Sequence, residues 1–210
     1  MKYSIITLIC FIITTGFAAD VSLDLKVMDA TLEKIAAHAQ NFPPRFSNAA
    51  EREQTEKDLK AAITVLDAAV AQFHDNSELL FRDGYANAMG QHLDIPGCDQ
   101  QFIKAFDQFL KLKPNDRHGN FLYGGFLAGT ATHQKDSIPY LNKAIELGET
   151  DAHYTLAFVY LSQQNKAQAI DHLKAYAKAN PAEAVTINAR IAHIEEAKIR
   201  IHHEPPPSSQ

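Results

Sequence analysis

Thr150–Glu183 reads TDAHYTLAFVYLSQQNKAQAIDHLKAYAKANPAE. Apolar residues recur at three- and four-residue steps on both sides of a polar break at Gln163–Lys166, which predicts two short helices joined by a tight turn. The first carries His153-x2-Leu156-Ala157-x2-Tyr160 and the second carries Ala169-x3-Leu173-x2-Tyr176. Small residues such as Ala157 and Ala169 suit a place where two helix backbones cross closely, with Leu156, Tyr160 and Leu173 filling the space beside them. Pro181 ends the second helix because it has no amide hydrogen to give the preceding turn.

Diluted copies lie upstream. The second-helix signature recurs at Ser137-x3-Leu141-x2-Ala144, Phe102-x3-Phe106-x2-Phe109 and Ala62-x3-Leu66-x2-Ala69. The small residue of the first helix recurs as Gly84, Gly125 and Ala157. A drifting period is what loop insertions do to a repeat, and Asp94–Cys98 lengthens one turn. Asp83 and Asn87 depart from the pattern, standing where it carries Leu and Tyr.

These motifs resemble the tetratricopeptide repeat, a helix–turn–helix unit of about 34 residues. The resemblance implies an all-α fold, a right-handed α-α solenoid of about four helix pairs with a C-terminal capping helix. The expected organisation is a signal peptide over 1–18, an N-terminal helix pair over 19–76, and repeats over 77–116, 117–149 and 150–183. A capping helix follows over 184–200 and a disordered tail over 201–210.

Residues 1–18 have a lone Lys2, an uncharged apolar run and small residues around Ala18, which is the layout of a secretory signal cleaved before Ala19. The alternative is a retained anchor, but the run falls short of the ~18–20 apolar residues that a span needs. The expected location is therefore outside the cytoplasm: the periplasm of a Gram-negative cell, otherwise the medium. The chain carries a formal net charge of −5, one unit more negative without Lys2. This balance speaks against a nucleic-acid surface and against anionic membranes. Only Cys98 remains after cleavage, so no internal disulfide is expected and stability must come from packing.

Leu25, Met28, Leu32, Ile35 and Ala39 form one apolar stripe, and Phe42-Pro43-Pro44 stops that helix. Asn48 and Glu51 form a capping box for the next helix, which should run to about Phe73, with Glu53–Lys57 and Glu56–Lys60 as i,i+4 pairs on its solvated first half. Further helices are expected over 77–93, 99–112, 118–132 and 136–147. Gly119, Gly124, Gly125 and Gly129 weaken the third of these and suggest close approach of a neighbour.

The catalytic screen is nearly empty. Gly119-x4-Gly124 begins like a phosphate loop, but Gly125-Phe126 replaces the Lys-Ser/Thr it needs. No two of the ten histidines stand four apart on a predicted helix, so neither a metal nor a cofactor is expected. Cys98 stands at a predicted helix start, where the dipole favours thiolate. It suggests a mixed disulfide with a partner, or a thiol-dependent enzyme that lacks an assignable base.

A stronger pattern is aromatic. Tyr85, Phe126 and Phe158 follow the small residues, with Phe81, Leu122 and Tyr154 four residues before them on the same face. In tetratricopeptide proteins that face lines the concave wall and holds partner peptides. The resemblance thus implies a non-enzymatic adaptor or assembly factor whose partner is another protein or peptide, an apolar segment or amphipathic helix. The alternatives are a carrier of a small apolar ligand, or a wall covered by the chain's own ends. Oligomeric state is left open.

Overall fold

The computed structural model describes residues 24–203, with side chains to Glu196. The expected leader and the segment after His203 lie outside them. The described residues form nine helices and no strand: α1 Leu25–Ala39, α2 Ala49–Gln72, α3 Ser77–His92, α4 Cys98–Leu112, α5 Arg117–Gly129, α6 Ser137–Glu146, α7 Ala152–Ser162, α8 Lys166–Ala179 and α9 Ala184–His203.

Local chemistry sets many of the starts. Asp24, Asn48, Asn76, Asp116 and Asn165 each accept a first-turn amide hydrogen through the side chain. The expected capping box is present in a displaced form. Asn48 Oδ1 accepts from Glu51 N at 3.0 Å, while the Glu51 carboxylate reaches past Asn48 and accepts from Ser47 N at 2.5 Å. That bond holds the Glu51 carboxyl below its ordinary range. On the solvated face of α2 the ion pair formed is Arg52–Glu56 at 2.9 Å, not the expected Glu–Lys pairs.

Consecutive helices pack as antiparallel-type pairs in series. α3 with α4, α5 with α6 and α7 with α8 make the most intimate pairs, and α9 lies against α8. Four apolar clusters follow one another along the chain, centred on Leu32, Leu59 and Met89; on Phe102, Phe106 and Tyr123; on Leu141, Leu156 and Val159; and on Leu173, Ile187 and Ile191. This serial core makes the molecule an all-α helical solenoid. At its start, Arg82 on α3 binds Asp29 on α1 through two bonds of 2.6 and 2.9 Å. At its end, Ile187 and Ile191 bury the open side of the last pair, as a lid must.

The series is not uniform. α1 lies against α3, and α5 against α7, whereas α3 and α5 make no comparable approach and α4 meets α5 less closely than α2 meets α3 or α6 meets α7. Aromatic rings fill that joint. Phe102 stacks on Phe126 with centroids 3.9 Å apart, Phe106 stacks on Tyr123 at 6.0 Å, and Phe81 reaches His118 at 5.9 Å.

Two helix ends differ from the sequence reading. α5 stops at Gly129, three residues early, because Thr130 adopts an extended backbone and turns occupy the stretch to Asp136. α9 continues to His203, past the expected end at 200.

Candidate functional site

The small residue that lets two helices cross is identified by its neighbours. A Cβ on Gly84 would overlap the Phe106 ring, and Ala157 is buried in the cluster of Leu173. In α5 the corresponding residue is Gly124, whose Cβ would stand 2.7 Å from Leu141 Cγ and 3.1 Å from the Leu141 amide nitrogen. Gly125 would meet nothing within 4 Å. Its neighbour Gly124 therefore occupies the crossing position, one residue before the expected one.

This shift matters because one residue is about 100° of helix rotation. Leu122 and Phe126 turn towards the preceding cluster, where Phe126 lies flat on Phe102. Val159 of α7 and Ala86 of α3 turn backwards in the same way. Phe121, which the sequence reading passed over, takes the place of Leu122, and Gly125 takes the place of Phe126. The wall of first helices is thus Phe81 and Tyr85 on α3, Phe121 and Gly125 on α5, and Tyr154 and Phe158 on α7. Sequence alone offers no way to choose between adjacent glycines; the contact with Leu141 does.

Along this wall Phe81 stacks on Tyr85 at 6.5 Å and packs against Phe109 edge-on at 5.4 Å. Phe81, Tyr85, Phe121 and Tyr154 are half-buried, but Phe158 is 41% exposed. Tyr154 meets Phe158 edge-on at 4.8 Å, and the Arg190 guanidinium of α9 stands 5.9 and 5.5 Å from the two ring centres. Such placement gives cation–π attraction to both rings. The chain's own last helix therefore touches the far end of the wall, with Arg190 over the Phe158 ring, and still leaves that ring 41% exposed.

Other groups were less legible in sequence. His153 and His172 place their Nδ1 atoms 2.8 Å apart between α7 and α8, with Tyr160 stacked on His172 at 5.4 Å. Burial holds both imidazoles below their ordinary value, and at His172 the other ring adds to the effect. The signal was that His153 fills the aromatic position of its repeat. Tyr123 donates to Asp107 Oδ1 at 2.5 Å, and burial together with that bond raises its phenol.

Cys98 reverses its expectation. It does begin α4, yet it is 3% exposed. Burial pushes its thiol up to about 11, helped by the carboxylates of Asp67, Asp99 and Asp83. Burial outweighs the dipole, and the thiol packs beside Gly90.

No protein-family model matches the chain, and no curated protein matches it in sequence. Solved structures do match in fold. A crystal structure of MamA superposes with a TM-score of 0.54 at 20% identity, over 74% of this chain and 99% of that one. MamA from Desulfovibrio magneticus RS-1, from residue 41 to its end, gives 0.55 at 18%, over 82% and 84%. A thermophilic tetratricopeptide protein of Thermus thermophilus gives 0.51 at 14%, over 81% and 91%. At these identities the likeness is one of fold, and the fold is of tetratricopeptide type.

Proposed function

We propose that this protein is an exported, non-enzymatic interaction module that holds an apolar peptide segment or amphipathic helix of another protein along its wall of first helices. The observation that carries the reading is the pairing of an open notch at Gly125 with the exposed ring of Phe158. A large aromatic left partly in water on α7, with open space at Gly125 on α5, offers apolar area to a partner side chain. Half-buried Phe81, Tyr85, Phe121 and Tyr154 extend that strip across three helices. Leu122 and Phe126, named from the sequence as partner-binding, support it from behind by packing the α4–α5 joint. Export rests on the apolar leader, and N-terminal sequencing of the natural protein should begin at Ala19.

The test uses apolar helical peptides selected on the full chain. Gly125→Leu puts a side chain into the notch, where its Cβ meets nothing within 4 Å, and Phe158→Ala removes the ring. Both should keep the helical circular dichroism and a cooperative melt while peptide affinity falls at least ten-fold. Unchanged affinity in both variants would falsify the groove.

A further inference from the structure

Two residues of α3 leave the repeat pattern together. Asp83 and Asn87 stand where it carries Leu and Tyr, and they are only 4% and 1% exposed. Asn87 Nδ2 donates back to the Asp83 carbonyl at 2.9 Å and to its Oδ1 at 3.3 Å. The other end of the amide, Oδ1, is buried with no hydrogen-bond partner. An unfilled acceptor of this kind opposes folding, so it calls for a donor from outside.

Asn87 lines a cleft of about 360 Å³ between α2, α3 and the start of α4. Asp67 and Thr64 stand on its α2 side. The Thr64 hydroxyl donates its hydrogen to the Lys60 carbonyl at 2.9 Å, which leaves its lone pairs free to accept. Ile63, Ile95 and Pro96 supply apolar walls. Among the described residues, neither Asp67 nor Asp83 has a cation within 4.0 Å. Lys60 also lines the cleft and its charge reaches Cys98, while Lys104 acts on Asp67 and Asp83 through space. The start of α4 would by itself favour an anion, but Asp99 in its first turn already supplies one. The field at Cys98 is accordingly set by three carboxylates against one lysine.

The lining thus combines acceptors, a carboxylate and apolar side chains, a set that matches a compact cation on a carbon stem. We infer that this cleft binds a primary alkylammonium group, with its N–H donors directed to Asn87 Oδ1, Asp67 and Thr64 and its stem against Ile63, Ile95 and Pro96. An ammonium carries three donors and no acceptor, so it satisfies the orphaned oxygen without leaving a lone pair of its own unfilled. A free diamine and the lysine side chain of a partner protein present the same chemistry. The cleft is walled mainly by α2 and the α4 start, so this inference stands apart from the wall of Phe81–Phe158.

The test is a titration of the ¹⁵N-labelled full chain with 1,5-diaminopentane, with N-acetyl-lysine N-methylamide and with neutral 1-pentanol. Saturable shifts of the amides of Ile95 and of Gly97 to Gln101 are expected with an ammonium ligand and not with the alcohol. Asp67 is exposed, so Asp67→Asn keeps the fold and should weaken binding at least ten-fold; Asn87→Leu should do the same with its melting temperature held or raised. Tighter binding of the diamine identifies a free amine as the ligand, and tighter binding of the lysine amide identifies a partner's side chain. Absence of saturation with both amines, equal shifts from pentanol, or full affinity in Asp67→Asn would overturn the assignment.

Discussion

The imidazoles of His153 and His172 share one proton position, since facing Nδ1 atoms 2.8 Å apart need one donor and one acceptor. Both folded-state values lie below the ordinary 6.5, so the unfolded chain binds more protons as acid is added. Their contribution is complete above pH 6.5 and is lost as pH falls below it. Melting curves should therefore drop between pH 7 and pH 5, and His172→Phe, which keeps a ring for Tyr160, should flatten that drop. Asp83 has the opposite sign. Burial and the nearby Asp67 raise its carboxyl to about 7 from 3.8, so the folded state holds a proton that the unfolded chain releases. Its contribution is present below pH 3.8 and is lost as pH rises to about 7. Asp83→Leu should accordingly raise the melting temperature at pH 8 by more than it does at pH 4. Neither residue announces this in sequence, because each effect depends on a helix brought alongside from elsewhere in the chain.

Helix α5 contains a matched pair of experiments. Gly124→Ala places a methyl group against the backbone of α6, 3.1 Å from Leu141 N, and should destabilise the protein by about 1–3 kcal/mol through overpacking. Gly125→Ala meets open space and should stabilise it by ~0.5–1 kcal/mol, the ordinary gain of replacing a mid-helix glycine. Urea unfolding of the two variants checks both, and reversal of their order would restore Gly125 to the crossing position. The pairing of α7 with α8 was legible because Ala157, Ala169 and Leu173 mark the crossing in one unambiguous register. α5 was legible as a helix but not in its rotation, since adjacent glycines give no phase. The lid was legible from the spacing of Ile187 and Ile191. Ile187 is 2% exposed, and Ile187→Ala should cost about 2–5 kcal/mol in the same assay.

A chain of neighbouring pairs unfolds according to its weakest joint. The joint with the least backbone contact lies between α4 and α5, where stacked rings hold the pairs together, and it is the expected breaking point. Phe126→Ala should split one denaturant transition into two, with hydrogen exchange in α5–α9 separating from that in α1–α4. A single unbroken transition would count against this weakest link. The fold class followed from four recurring helix signatures, but the joint did not, because Phe102 and Phe126 belong to different repeats. Their stack has a geometric consequence. Aromatic rings 3.9 Å apart are already at contact thickness and cannot be compressed, so they act as a gauge block. The spacing of α4 and α5, and with it how closely one repeat can be set against the next, is held by the width of two phenylalanines.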